Sequence, residues 1–136
     1  MRIQSIYKPF IFTCIFLFSG VLLRAQSQAD LDTAIFSVVE NPPEYPGGIK
    51  EFVKYVQERL TVEPEEDVHV NKKVYVQFII DKSGQVQDAG ILQGVSKEID
   101  KEILQVFEQS PRWIPGRQRG VAVYVKSSVA IPLIKK

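Results

Sequence analysis

Few residues could support catalysis, and the clearest of them is His69, the single histidine of the chain. General acid–base catalysis near neutral pH most often uses an imidazole placed beside a nucleophile or a metal. His69 instead lies between two valines in a polar stretch, shortly after the acidic run of Glu65, Glu66 and Asp67. This setting is typical of a solvated loop, so we interpret the histidine and the acids as loop residues.

Other polar groups resemble ligand sites but lack the spacing that such sites need. Asp81, Ser83 and Asp88 do not follow the EF-hand pattern, and a hairpin turn explains them better. Gly47 and Gly48 belong to neither phosphate-binding glycine motif, so we interpret them as a sharp chain reversal. One cysteine and one histidine exclude a disulfide framework, a zinc site and an iron–sulfur site made from this chain alone. We therefore predict no enzyme activity, no cofactor and no metal.

Three arginines surround the single tryptophan. Arg112, Arg117 and Arg119 could form a small contact site for an anion beside Trp113. Alternatively, the Trp113 ring packs under arginine side chains at the rim of the core, and this second interpretation is favoured.

Charge and composition set the protein class. The chain has 136 residues, 45% hydrophobic and 24% charged, which is typical of one globular domain. Its first 25 residues hold three cations (Arg2, Lys8 and Arg24) and no acid, so the remainder carries a net charge of −2. A mildly acidic domain argues against nucleic acid as a partner, because that affinity depends on neutralising phosphates.

The N-terminus is predicted to be a targeting segment. Arg2 and Lys8 precede an apolar run at residues 9–23, which is shorter than a membrane span and fits a secretory signal. We expect residues 1–25 to be a cleaved signal peptide, with retention as a membrane anchor as the alternative. Cys14 lies inside the apolar run without a convincing lipoprotein motif, so we interpret it as part of the signal.

The remaining chain is predicted to be an α+β domain with the order helix, strand, strand, helix, strand. Residues 26–40 are a tether in which residues 35–39 could form a short strand, and the domain covers residues 41–136. Apolar spacing predicts helices from Ile49 to Leu60 and from Ile99 to Phe107, with Ser96 as the N-cap of the second. Strands are predicted at residues 72–80 and 85–93, joined by a turn containing Gly84, and at residues 121–134. One face of the last strand holds Val121, Val123, Val125, Val129, Ile131 and Leu133, and the other Tyr124, Lys126 and Ser128.

Residues 35–136 resemble the C-terminal domain of the TonB energy transducers, in the form with a Pro-Gly-Gly start. The most specific element is Trp113-Ile114-Pro115-Gly116 before the long alternating strand. The other matching elements, in chain order, are Val38-Val39-Glu40, Pro43-Glu44-Tyr45-Pro46-Gly47-Gly48, Val74-Tyr75-Val76-Gln77-Phe78, Asp81-Lys82-Ser83-Gly84, Leu92, Gly94-Val95, Pro111-Arg112, Gln118-Arg119-Gly120 and Ile131-Pro132-Leu133.

The resemblance implies a fold and a role. The fold would be two helices packed on one face of a three-stranded antiparallel sheet. Members of the family act in the periplasm and pass inner-membrane energy to outer-membrane transporters, gripping a short transporter segment, the TonB box, that adds itself as a strand. The expected partner is therefore a TonB-dependent outer-membrane transporter or another envelope protein, bound by a non-enzymatic module.

The last strand is expected to offer the recognition edge, because an exposed edge presents unpaired backbone groups to another chain. We predict the edge at residues 121–129, and we expect Val125→Pro to abolish binding by removing a donor there. The candidate partner-binding residues are Val121, Val123, Tyr124, Val125, Lys126, Ser127, Ser128 and Val129.

The chain departs from the family pattern, and the departures keep alternatives open. No proline-rich linker precedes the domain, and the usual Tyr-Pro and glycine-rich step are replaced by Glu63-Pro64 and by Val70-Asn71-Lys72-Lys73. One alternative is an envelope interaction protein that has lost TonB-box binding, for example one that self-associates through the last strand. Another is a short transducer, in contact with the membrane only if the signal is retained.

Overall fold

The computed structural model describes residues 32–61 and 72–134. Contacts divide the chain into two units, Met1–Ala34 and Ile35–Lys136, and every element named below belongs to the second. The predicted signal peptide, His69, the acidic run before it and the substituted family positions 63–64 and 70–71 lie outside the described residues.

Two amphipathic helices form where the apolar spacing predicts them. Helix α1 covers Ile49–Arg59 and fully buries Phe52 and Val56. Helix α2 covers Lys97–Glu108, and the Ser96 hydroxyl caps it by accepting a hydrogen bond from the Ile99 amide at 3.3 Å. Across the two described ranges, no helix is both long enough and apolar enough to cross a membrane.

Among the described residues, six strands complete the fold. They are β1 (Ile35–Phe36), β2 (Lys73–Ile80), β3 (Val86–Gln93), β4 (Arg117–Gln118), β5 (Val121–Ala122) and β6 (Tyr124–Pro132). A four-stranded sheet has the order β1-β6-β2-β3, and β4 pairs with β5 in a separate small sheet.

The α+β class with two helices is confirmed, but the prediction of a three-stranded antiparallel sheet needs correction. Strands β6, β2 and β3 are antiparallel neighbours as expected. The short β1 then adds to β6 in the parallel direction and makes the sheet mixed. A two-residue strand has too little side-chain alternation to reveal its pairing in advance.

The single strand predicted at residues 121–134 is also divided. Arg119 and Gly120 both have positive φ angles, 51° and 75°, as in the two-residue turns that favour tight hairpins. This turn folds Val121 and Ala122 back onto Gln118 and Arg117. The long strand of the main sheet therefore begins only at Tyr124.

An aromatic cluster between the helices and the sheet forms the centre of the core. The Phe52 ring lies 4.8 Å from that of Trp113 and 5.0 Å from that of Phe107, measured between centroids. Tyr45 and Phe78 each lie 5.4 Å from Trp113. Trp113 is only 6% exposed, and its Nε1 donates to the Ser110 hydroxyl at 3.2 Å. The tryptophan is thus a core residue that ties the loop after α2 to the sheet.

The turn between β2 and β3 is organised by the buried carboxylate of Asp81. It accepts hydrogen bonds from the Ser83 and Gln85 amides, the Ser83 hydroxyl and the Gln87 side-chain amide, at 2.6–2.9 Å. Burial opposes ionisation, but these hydrogen bonds outweigh it and lower the pKa of Asp81 below its usual value. Gly84 has a φ of 85° and no room for a side chain, because a Cβ would lie 1.8 Å from the Trp113 carbonyl oxygen. The interpretation of Asp81 and Ser83 as turn residues fits this geometry.

Candidate functional site

Strand β6 offers a long and regular backbone edge. It pairs with β2 through eight consecutive residues, from Lys73 opposite Pro132 to Ile80 opposite Val125, without a register shift. Continuous pairing on one side keeps the strand regular and fixes which way its backbone groups point on the other side.

The direction of each backbone group follows from the ladder. The Leu133 amide donates to the Lys72 carbonyl at 3.0 Å, so Leu133 turns its hydrogen-bonding groups toward β2. In an antiparallel pair this orientation alternates with every residue. Four other residues of β6 therefore also bond toward β2: Val125, Ser127, Val129 and Ile131. The amides and carbonyls that point away from β2 belong to Tyr124, Lys126, Ser128 and Ala130, and the carbonyl of Pro132 joins them.

The N-terminal end of this edge is covered by the chain's own β1. Ile35 lies opposite Tyr124 and Phe36 opposite Val125, in the parallel direction. With this register, the Phe36 amide faces the Tyr124 carbonyl and the Phe36 carbonyl faces the Lys126 amide. The covered part of the edge therefore ends at the Lys126 amide.

The C-terminal end of the edge is closed by helix α1. The Gln57 side-chain amide donates to the Pro132 carbonyl at 2.6 Å. Between the two covers lie residues 127–131, which we call the open stretch. Within residues 32–61 and 72–134, no strand pairs with β6 on this side beyond Val125. The outward amides and carbonyls of Ser128 and Ala130 thus meet no strand among the described residues.

Side chains along β6 are apolar on one face of the sheet and polar or cationic on the other. Val125 and Val129 are buried on the helix side of the sheet, whereas Lys126 and Ser128 are exposed on the opposite face. On that face the Lys82 ammonium lies 5.5 Å from the centre of the Tyr124 ring. Two cations therefore border the edge, which favours an acidic side chain in any segment that pairs there.

The structure distributes the eight predicted site residues among different environments. Val121 belongs to the small sheet and is 37% exposed, and Val123 is fully buried with its amide donating to the Gly116 carbonyl at 3.0 Å. Tyr124 and Val125 lie beneath β1, and the other four continue along β6: Lys126, Ser127, Ser128 and Val129. Within the predicted edge at residues 121–129, only the part beyond Lys126 has no strand on its outer side among the described residues, and its use in binding a partner stays a prediction.

The expectation for Val125→Pro needs the same correction. The Val125 amide points toward Ile80 in β2, and the residue is 3% exposed. Proline there would remove a hydrogen bond of the fold and not one of the edge. Sequence reasoning missed Ala130 and Gln57, since nothing in the alternation of side chains shows on which side β2 lies.

Two of the three arginines near Trp113, Arg117 and Arg119, organise the chain before α1. The Asn41 and Arg117 backbones exchange hydrogen bonds of 3.1 and 2.8 Å. The Arg119 amide donates to the Glu40 carboxylate at 3.0 Å, and the Arg117 guanidinium donates to the Gly120 carbonyl at 2.9 Å. We call the contact of residues 40–44 with residues 114–119 the clasp, because Glu44 and Ile114 also exchange backbone hydrogen bonds. In the part of the chain that the structure describes, no group of residues could hold a metal ion.

Comparison with known proteins identifies the domain. Residues 71–132 match the family model described as Gram-negative bacterial TonB protein C-terminal. No curated protein and no solved structure gave a significant match to the chain. The matched segment begins just before β2 and ends with β6, so it contains β2, β3, α2 and the whole of the edge-forming strand. By this match, residues 71–132 belong to the TonB C-terminal domain family.

Proposed function

We propose that this protein is a non-enzymatic binding module of the cell envelope that captures an extended segment of a partner by strand addition to β6. The match of residues 71–132 to the TonB C-terminal family supports a TonB-like, transport-related role in protein interaction, and that family is one of non-enzymatic interaction domains. The partner proposed is a TonB-dependent outer-membrane transporter or another envelope protein with a similar exposed segment.

One observation carries the proposal: β6 is regular along its full length and has an open stretch on its outer side. Backbone groups of Ser128 and Ala130 point outward, and the described chain supplies no strand to meet them. Strand addition obtains its affinity from main-chain hydrogen bonds and its selectivity from side chains at alternate positions. The edge provides the first of these, and Lys126 provides part of the second.

The size of the open stretch limits how much a partner can gain. Five residues of strand span about 17 Å and offer about four outward hydrogen bonds. Each such bond contributes about 1 kcal/mol net, so side-chain contacts must add to the affinity. We therefore expect a moderate affinity, which should increase with the length of the partner segment.

Calorimetric titration of the full chain with TonB-box peptides from transporters of the same cell tests the proposal. Saturable binding is expected, and Ser128→Pro should weaken it at least tenfold, because proline removes an outward amide while leaving the pairing with β2 in place. Ser128→Ala is the matched control: it removes the hydroxyl, keeps the amide, and should change the affinity less than twofold.

Two results would contradict strand addition at β6. The first is equal affinity of the wild type and a folded Ser128→Pro variant. The second is the absence of binding together with self-association through β6, which would favour the alternative of an envelope interaction protein that has lost TonB-box recognition.

We also propose that the protein is exported and acts in the periplasm, with residues 1–25 removed as a signal peptide. TonB-family domains are typically periplasmic or otherwise in the envelope, which supports this location. N-terminal sequencing of the protein from an envelope fraction should give a start at Gln26. A start at Met1 would instead favour the short anchored transducer.

A further inference from the structure

Strand β1 occupies part of the edge that the proposed function assigns to a partner. It covers only Tyr124 and Val125, and it does so in the parallel direction. Of its two residues, Ile35 is 53% exposed and Phe36 is half-buried, and Val38, which follows the strand, is 86% exposed. Since hydrophobic stabilisation follows buried apolar area, β1 is held only by its few backbone hydrogen bonds and by the partial burial of Phe36. Such an element opens at low cost.

The clasp nevertheless keeps β1 close to the edge. Residues 40–44 are fixed to residues 114–119 by four backbone hydrogen bonds of 2.8–3.1 Å. The Glu40 carboxylate adds a bond to the Arg119 amide at 3.0 Å. Only residues 37–39 separate this anchored segment from β1. A displaced β1 therefore stays within a few residues' reach of Tyr124, at a high effective concentration.

From this arrangement we infer that β1 is a built-in competitor of the partner segment. This inference rests on the proposed function. A segment that pairs with β6 beyond the open stretch needs the Tyr124 carbonyl and the Lys126 amide, which are the groups that Phe36 meets. Binding along the whole strand thus requires β1 to leave, and the protein selects partners able to displace it.

The competition weakens partner binding, because the apparent dissociation constant equals the intrinsic constant divided by the fraction of molecules whose edge is open. If β1 is docked in about 70–90% of molecules, removing it tightens partner binding about three- to tenfold. The clasp should not change, because its hydrogen bonds are independent of β1.

Phe36→Pro in the full chain tests the inference. Proline at position 36 removes the amide that meets the Tyr124 carbonyl. Ile35→Pro is the matched control, because the Ile35 amide points away from β6 in this register. Phe36→Pro should bind the same TonB-box peptide about three- to tenfold more tightly than the wild type, and Ile35→Pro should stay within twofold. Without peptide, hydrogen exchange of the Lys126 amide should accelerate in Phe36→Pro alone.

The outcomes separate this inference from the proposed function. Equal affinities of the wild type and Phe36→Pro, or weaker binding by Phe36→Pro, would overturn the competitor role while leaving strand addition intact. Binding by Phe36→Pro where the wild type binds too weakly to measure would support both. No binding by either folded protein would contradict the proposed function and the competitor role together.

Discussion

The two edges of the main sheet are built differently. On the β6 side, eight residues pair with β2 in unbroken register. On the β3 side, five pairs are interrupted by two register shifts, and Asp88 takes a positive φ of 48°. Bulges twist a strand away from regular pairing and are a common protection against unwanted partners. The comparison shows that one edge is shaped against strand addition and the other is suited to it.

The means of covering each edge also differ. Strand β3 protects itself through its own irregular backbone. Strand β6 is regular, and within residues 32–61 and 72–134 it is covered only at its ends, by β1 over Tyr124 and Val125 and by Gln57 at Pro132. A removable cover leaves the regular backbone beneath it usable, whereas a bulge alters the backbone itself. In the inferred competition, the release of β1 would open the β6 side without refolding the sheet.

The largest expected effect on the free energy of unfolding comes from a substitution in the core, which supports both edges of the sheet. Trp113→Ala should lower the free energy of unfolding by about 3–5 kcal/mol, because it removes a buried ring packed against Phe52, Tyr45 and Phe78. Chemical denaturation measures the loss. Ile114→Ala, at a side chain that is 55% exposed, is the control and should cost less than about 0.5 kcal/mol. Little change in Trp113→Ala would mean that the indole does not support the sheet.

A smaller effect should separate the two edges. Asp81→Asn should lower the free energy of unfolding by about 1–3 kcal/mol near neutral pH, because the amide cannot accept every hydrogen bond that the carboxylate accepts. Its turn joins β2 to β3, so peptide binding at β6 should stay within twofold. A large loss of affinity in a folded Asp81→Asn variant would show that the β3 side takes part in binding.

The effect of Asp81→Asn should depend on pH in one direction. The pKa of the folded Asp81 carboxyl is lowered, so its stabilisation is fully present above the pKa of the unfolded state, about 3.9. That stabilisation is lost as the pH falls through the lower pKa of the folded state. The difference in unfolding free energy between wild type and variant should therefore shrink below about pH 4. A difference that grows in acid would contradict the hydrogen-bonded carboxylate.

The smallest expected effect concerns side chains beside each edge. Lys126→Glu should weaken the binding of an acidic TonB-box peptide about three- to tenfold, because a cation beside the β6 edge becomes an anion. The loss should diminish in high salt. Leu92→Glu places the same charge on β3, where the side chain is 60% exposed, and should leave the affinity within twofold. Equal losses in both variants would indicate a general charge effect instead of a defined edge.

Sequence pattern could predict most of the elements but not the pairing of the outer edge. Phe52, Val56, Ile99 and Ile103 recur at helical spacing because each helix buries one stripe, and the structure confirms both helices. The N-cap at Ser96 follows from the needs of a helix start, which are local. Local rules of this kind require no knowledge of distant neighbours.

Which backbone groups of β6 point outward depends on the strand that pairs with it, and that strand is distant in sequence. The sequence pattern therefore could not show which amides form the edge. Side-chain alternation in β6 tells which residues face the helices, but not whether β2 lies to the left or right of the strand. That choice decides whether Val125 or Ser128 offers its amide to a partner. Arg119-Gly120 was the one local signal that could have separated Val121 from β6, because a glycine at this position favours a two-residue hairpin turn.

Hydrogen exchange at single amides, with and without a TonB-box peptide, tests the central claim most directly. The account predicts that saturating peptide slows exchange at Ser128 and Ala130 and leaves the amides of β3 unchanged. Slower exchange along β3, or unchanged exchange at Ser128 and Ala130 in the bound protein, would contradict the assignment of β6 as the recognition edge.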